Sequence, residues 1–81
     1  MTAEKFMAEI QRLLDEGKEK GYQYVDITSG DVHRQVGGYP SSNHRMATCC
    51  AVMQSMKKDR DEILKAPLKG KGATLTIRYY M

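Results

Sequence analysis

Residues 28–56, TSGDVHRQVGGYPSSNHRMATCCAVMQSM, decide how the chain is organised, because they encode two helices and the joint between them. Thr28 and Asp31 have the spacing of a capping box, in which a hydroxyl and a carboxylate satisfy backbone N–H groups at a helix start. A short helix is therefore expected from about Ser29. Val32 and Val36 give it one narrow apolar stripe, and Gly37 and Gly38 stop it, since glycine takes positive φ without a Cβ penalty. Pro40 marks a break. Ser41, Ser42 and Asn43 then supply three N-cap candidates in succession, after which Met46, Cys49, Cys50, Met53 and Met56 recur at helical spacing. That pattern predicts a second helix over 43–56.

The two faces of this second helix suggest its use. At about 100° per residue, the methionines and cysteines gather on one side and His44, Ala47, Thr48, Ala51 and Ser55 on the other. A helix that lies deep in a DNA major groove needs short side chains along its middle and polar or cationic ones at its N-terminus, where Asn43, His44 and Arg45 stand. This is a helix-turn-helix reading. An ordinary helical hairpin with a small-residue surface fits the same two helices.

At 81 residues, with 41% hydrophobic and 28% charged residues, the chain has the composition of one globular domain, able to bury about 60% of its unfolded surface. That is enough to fold and too little to enclose a large cleft. The N-terminal MTAEKFMAEI is too polar for a signal peptide and no apolar run reaches membrane-spanning length, so a cytoplasmic location is expected, with no membrane partner. Cys49 and Cys50 are adjacent and cannot staple distant segments; they read as reduced core residues. Charge divides unevenly. Residues 1–28 carry four cationic against six acidic side chains, whereas 29–81 carry nine against four. The basic excess accompanies the reading helix and the segments after it, and a polyanion is its natural partner.

Phe6, Met7, Ile10, Leu13 and Leu14, with Glu, Lys, Arg and Asp between them, predict an amphipathic first helix, capped by Thr2 and fraying between Gly17 and Gly21. Its role is structural. Residues 22–27, YQYVDI, are rich in β-formers and read as a short strand, with Tyr22 and Tyr24 expected to pack in the core and base stacking as the alternative. In the joint 37–40, Tyr39 is expected to cover the core, or to reach a phosphate from beside the second helix. After that helix, 62–66 and 73–80 predict two extended segments; Leu75, Ile77 and Tyr79 alternate with Thr74, Thr76, Arg78 and Tyr80. Between them, Pro67, Leu68, Lys69, Gly70, Lys71 and Gly72 form a cationic hairpin tip whose glycines allow close approach to a phosphate.

The order helix, strand, helix, helix, strand, strand resembles the winged helix-turn-helix superfamily over nearly the whole chain. More narrowly, TSGDVHRQVGGYP, NHRMATCCAVM and KGKGATLTIRYY resemble a group of short, uncharacterised prokaryotic proteins. The resemblance implies an α+β winged helix (α-β-α-α-β-β) whose early strand joins the final hairpin in a small antiparallel sheet. It also implies DNA binding by the second helix of the pair, supported by the wing at 68–72.

Other chemistries fit the residues less well. His33, His44, Cys49 and Cys50 are zinc-ligand types, but neighbouring helical cysteines diverge by about 100° and no CxxC or HxxxH pair occurs. A thiol sensor near Arg45 is conceivable, although Met46 and Met53 bury the cysteines. KGKG precedes a strand where a phosphate loop would open a helix. Asp31, His33 and Arg34 could suggest nuclease chemistry, yet Asp31 serves better as a cap, and His33 and Arg34 are expected on the solvated side of the helix. No enzyme, metal or cofactor is expected.

The expectation is a single winged-helix domain that binds duplex DNA, as a transcriptional regulator or a DNA-targeting accessory of a nuclease or mobile-element system. Asn43, His44 and Arg45 would meet bases or nearby phosphates, with Thr48 and Ser55 further along the groove. Ser41 and Ser42 would donate to phosphate. Lys69 and Lys71 would hold the adjacent backbone, and Lys57, Lys58 and Arg78 would add general attraction. A protein-interaction module of the same fold is the rival, supported by Ala47, Ala51 and Val52 on the helix exterior, and a homodimer is open.

Overall fold

In the computed structural model, which describes residues 2–37, 45–67 and 72–81, the first helix α1 spans Thr2–Glu19. Its apolar spacing sends Phe6 and Ile10 wholly inside, with Leu13 and Leu14 half-buried, while Met7 falls beside the stripe and stays exposed. Arg12 bridges Glu9 at 2.8 Å and Glu16 at 3.4 Å along the solvated face. The helix ends at Glu19, between Gly17 and Gly21 as expected. Beyond it, the φ of 78° at Gly21 lets the chain turn so that Tyr22 N–H bonds Gly17 C=O at 2.9 Å and Gly21 N–H bonds Lys18 C=O at 3.1 Å. Gly17 has a different use: a Cβ there would run into the Val25 side chain, so its smallness lets the strand lie against the helix.

Among the described residues, three strands form one antiparallel sheet: β1 (Tyr24–Thr28), β2 (Glu62–Lys65) and β3 (Thr76–Tyr80), in the order β1-β3-β2. The early strand does join the final pair, as expected. Register follows alternation: Ile27 lies opposite Ile77, Asp26 opposite Arg78, and Thr28 opposite Thr76. Leu75, Ile77 and Tyr79 point into the core. The Tyr79 hydroxyl donates to Met53 C=O at 2.7 Å, so this buried phenol has a partner. The other face of the sheet carries Tyr24, Asp26, Arg78 and Tyr80. Tyr22 and Tyr24 are thus 54% and 41% exposed, and the expectation of core tyrosines is corrected. Val25 and Ile27 hold the inner positions, and alternation turns Tyr24 away from the helices.

Between β1 and β2 lie α2 (Ser29–Val36), with the bounds that the sequence pattern implies, and α3 (Met46–Ser55), which among the described residues is shorter than the expected 43–56. The capping box does not form. Thr28 makes no cap hydrogen bond; its hydroxyl meets that of Thr76 at 3.0 Å, and Asp31 pairs with Arg34 at 3.0 Å. The donors at the start of α2 are satisfied across the fold instead. Ser29 N–H bonds Leu75 C=O at 2.8 Å, Gly30 N–H bonds Ala73 C=O at 2.9 Å, and the Ser29 hydroxyl donates to Gly72 C=O. Distant carbonyls have replaced a local carboxylate.

The result is an α+β domain: α1, α2 and α3 pack mutually over the inner face of a small three-stranded sheet. Gly30 is a joint set against backbone. A Cβ on Gly30 would stand 2.9 Å from the Ala73 carbonyl oxygen, which is backbone and cannot swing aside. Gly30→Ala is therefore expected to lower stability by about 1–3 kcal/mol, despite alanine's better helix propensity; urea unfolding of the two proteins checks this.

Candidate nucleic-acid interface

Helix α3 divides its residues much as its spacing implies. Met46, Cys49, Cys50 and Met53 are buried, while Ala47, Ala51 and Ser55 are exposed and Thr48 is half-buried. Val52 departs from expectation: it is only 6% exposed and belongs to the core, so the exterior apolar set reduces to the two alanines. A stretch packed by α1 on one flank and α2 on the other buries a wider arc than one seam of methionines and cysteines. What remains outward is small. With Ala3 of α1, these residues line a shallow depression along the helix.

The start of α3 is held by a residue expected in solvent. His33 is 2% exposed; its ring lies 4.8 Å from that of Phe6, and its Nε2 accepts the Arg45 backbone N–H at 2.8 Å. The expectation that His33 sits on the solvated side of α2 is thus overturned. A helix wedged between two others has little solvated side near its middle, and here imidazole fills the wedge and caps the next helix at once. No local spacing signals a contact between positions 33 and 45. The anchored backbone leaves the Arg45 side chain exposed at the helix N-terminus. Arg34 is exposed as expected and pairs with Asp31.

Other site candidates are less alike than the sequence suggests. Arg78 is not an independent surface charge: it grips Asp26 through two hydrogen bonds of 2.8 and 3.1 Å and lies 3.9 Å over the Tyr24 ring. Ser55 donates its hydroxyl proton to Val52 C=O at 2.7 Å, leaving only its lone pairs for a ligand. Lys58 is exposed and Lys57 half-buried, at the C-terminal end of α3, where Asp61 orders the turn by accepting from Lys58 N–H and Tyr80 N–H, both at 2.8 Å. Ser41, Ser42, Asn43, His44, Lys69 and Lys71 lie outside the described residues, as does Tyr39.

The cysteines are placed for packing. Cys50 Sγ donates to Gly72 C=O at 3.2 Å, and Cys49 Sγ points to Ser29 C=O at 3.6 Å. Burial, reinforced by the neighbouring Cys50, pushes the Cys49 thiol from 9.0 up to about 12, which is the reverse of an activated nucleophile. Among the described residues, no group of three or more His, Cys, Asp or Glu stands together as a metal site, and no helix is long and apolar enough to cross a membrane.

Two expectations arise from these contacts. Replacing His33 with Phe keeps the ring volume but leaves the Arg45 N–H without its acceptor, so stability should fall by about 1–3 kcal/mol and amide exchange at Arg45 should accelerate, as NMR would detect. Alkali should also weaken the fold. The folded thiol of Cys49 holds its proton more tightly than the unfolded one, so its contribution is intact below pH 9.0 and is lost progressively towards about 12; Cys49→Ala should flatten that part of the stability profile. Comparison with protein-family models, curated proteins and solved structures found no match to this chain.

Proposed function

We propose that the chain is a winged-helix module that binds duplex DNA, with α3 lying in the major groove and the Lys69 to Lys71 segment between β2 and β3 meeting the adjacent backbone. The observation that carries this reading is the outward face of α3. A helix exterior of Ala47, Thr48, Ala51 and Ser55, introduced by an exposed Arg45 on a fixed backbone, suits close approach to base edges. The element order and the sheet order β1-β3-β2 fit the winged-helix arrangement. Nine cationic against four acidic residues beyond position 28 supply the attraction.

In this reading Arg45 and the neighbouring Asn43 and His44 contact bases or phosphates, and Ser41 and Ser42 donate to phosphate. Lys57 and Lys58 add long-range attraction, while Arg78, balanced by Asp26, adds less than its charge suggests. Transcriptional regulation or DNA targeting within a larger system is the corresponding role. One observation favours a second reading, as a protein-interaction module: the depression beside Ala3, Ala47 and Ala51 would also accept an apolar side chain.

Fluorescence anisotropy with random-sequence duplex DNA at several salt concentrations separates the two. DNA binding predicts an affinity that falls by about 0.9 log units per contacted phosphate for each log unit of salt. Arg45→Ala should cost about 1–3 kcal/mol of binding with no comparable loss of folding stability. Absence of binding at low salt would reject the DNA reading.

A further inference from the structure

We infer that β2 is a self-complementary edge through which two copies of this chain join their sheets into one. β2 sits at the end of the strand order, its four residues are all exposed, and among the described elements it packs principally on β3 alone. Solvent-facing edges are ordinarily blunted by short length, bulges, proline or charged side chains; this edge is short and bulged, and its charges, Glu62 and Lys65, stand at the two ends of the strand. This one has Ile63 at its centre, 45% exposed.

The bulge in β2 decides how a second copy can fit. Glu62 pairs with Arg78 and Ile63 with Ile77, but it is Lys65, not Leu64, that pairs with Thr76. Leu64 is the extra residue. Measured along the ladder, Glu62 and Lys65 therefore stand one step on either side of Ile63, and both share the outer face with Arg78 and Thr76. In an unbulged strand, residues three apart face opposite ways.

A two-fold axis perpendicular to an antiparallel sheet keeps the two faces distinct and sets a residue opposite its own copy. With the axis at Ile63, Ile63 meets Ile63, and Glu62 of each chain lies opposite Lys65 of the other. On the inner face, the existing row Ile27, Ile77, Ile63 continues into its mirror sequence in the second chain. On the outer face, Asp26, Arg78 and Glu62 alternate in sign, and the second chain's Lys65 extends the alternation. Apolar and ionic pairing thus agree on one register, and the interface is isologous. The inference does not depend on DNA binding.

Sedimentation velocity of the full chain over a concentration series tests it. The mass should rise from 9.2 kDa towards twice that value as concentration increases. Ile63→Arg, at an already exposed position, should hold the mass at one chain while circular dichroism stays native. Glu62→Lys opposes lysine to lysine and Lys65→Glu opposes glutamate to glutamate, so each alone should stay monomeric; mixed in equal amounts, the two should form a heterodimer. A wild-type chain that remains single throughout, an Ile63→Arg variant that still dimerises, or two folded charge variants that fail to associate on mixing would overturn the proposal.

Discussion

The fold depends on one set of hydrogen bonds: the carbonyls of Gly72, Ala73 and Leu75 receive the polar groups that open α2. A helix start presents N–H groups with no partner of their own, and burying them unsatisfied would cost more than a short helix returns. Ser29 and Gly30 are buried there. By docking on the segment that leads into β3, α2 acquires its cap and β3 acquires its position in the same contacts. The Cys50 thiol donates to Gly72 C=O as well, so α3 is fixed to the same short stretch of backbone.

Much of this architecture was legible in the sequence because it rests on periodicity. The spacing of Phe6 and Ile10, the alternation through Leu75, Ile77 and Tyr79, and the seam of Met46, Cys49, Cys50 and Met53 each need only a local repeat to be recognised. Errors arose where a residue serves a partner remote in sequence. Thr28 and Asp31 match a capping box, yet Thr76 competes for the hydroxyl and Arg34 for the carboxylate. His33 looks solvated by its position on α2 until α1 and α3 close around it. Tyr22 and Tyr24 look like core residues until the pleat directs Tyr24 to the face opposite α1, α2 and α3.

The candidate interface was legible for the same reason and within the same limit. Small residues outward on α3 follow from helical geometry, whereas Val52 turned inward because two neighbouring helices bury a broad arc. Arg45 and Arg78 are indistinguishable as letters in a basic half-chain. In the fold, one extends from an anchored helix start and the other is clamped between a carboxylate and a phenol ring. Pairing across β1 and β3 makes that difference, and no composition argument reaches it.

The central position of β3 also constrains how the protein is made. Both neighbouring strands bond to it, and neither bonds to the other, although β1 lies about fifty residues earlier in the chain. A ribosome delivers the chain in order, so no strand pair can close until residues 76–80 have left the exit tunnel. Before that moment the helices can form only a loose cluster with the donors of Ser29 and Gly30 still in water. Sheet assembly then has to bring together segments far apart in sequence, the circumstance in which loop closure slows folding most.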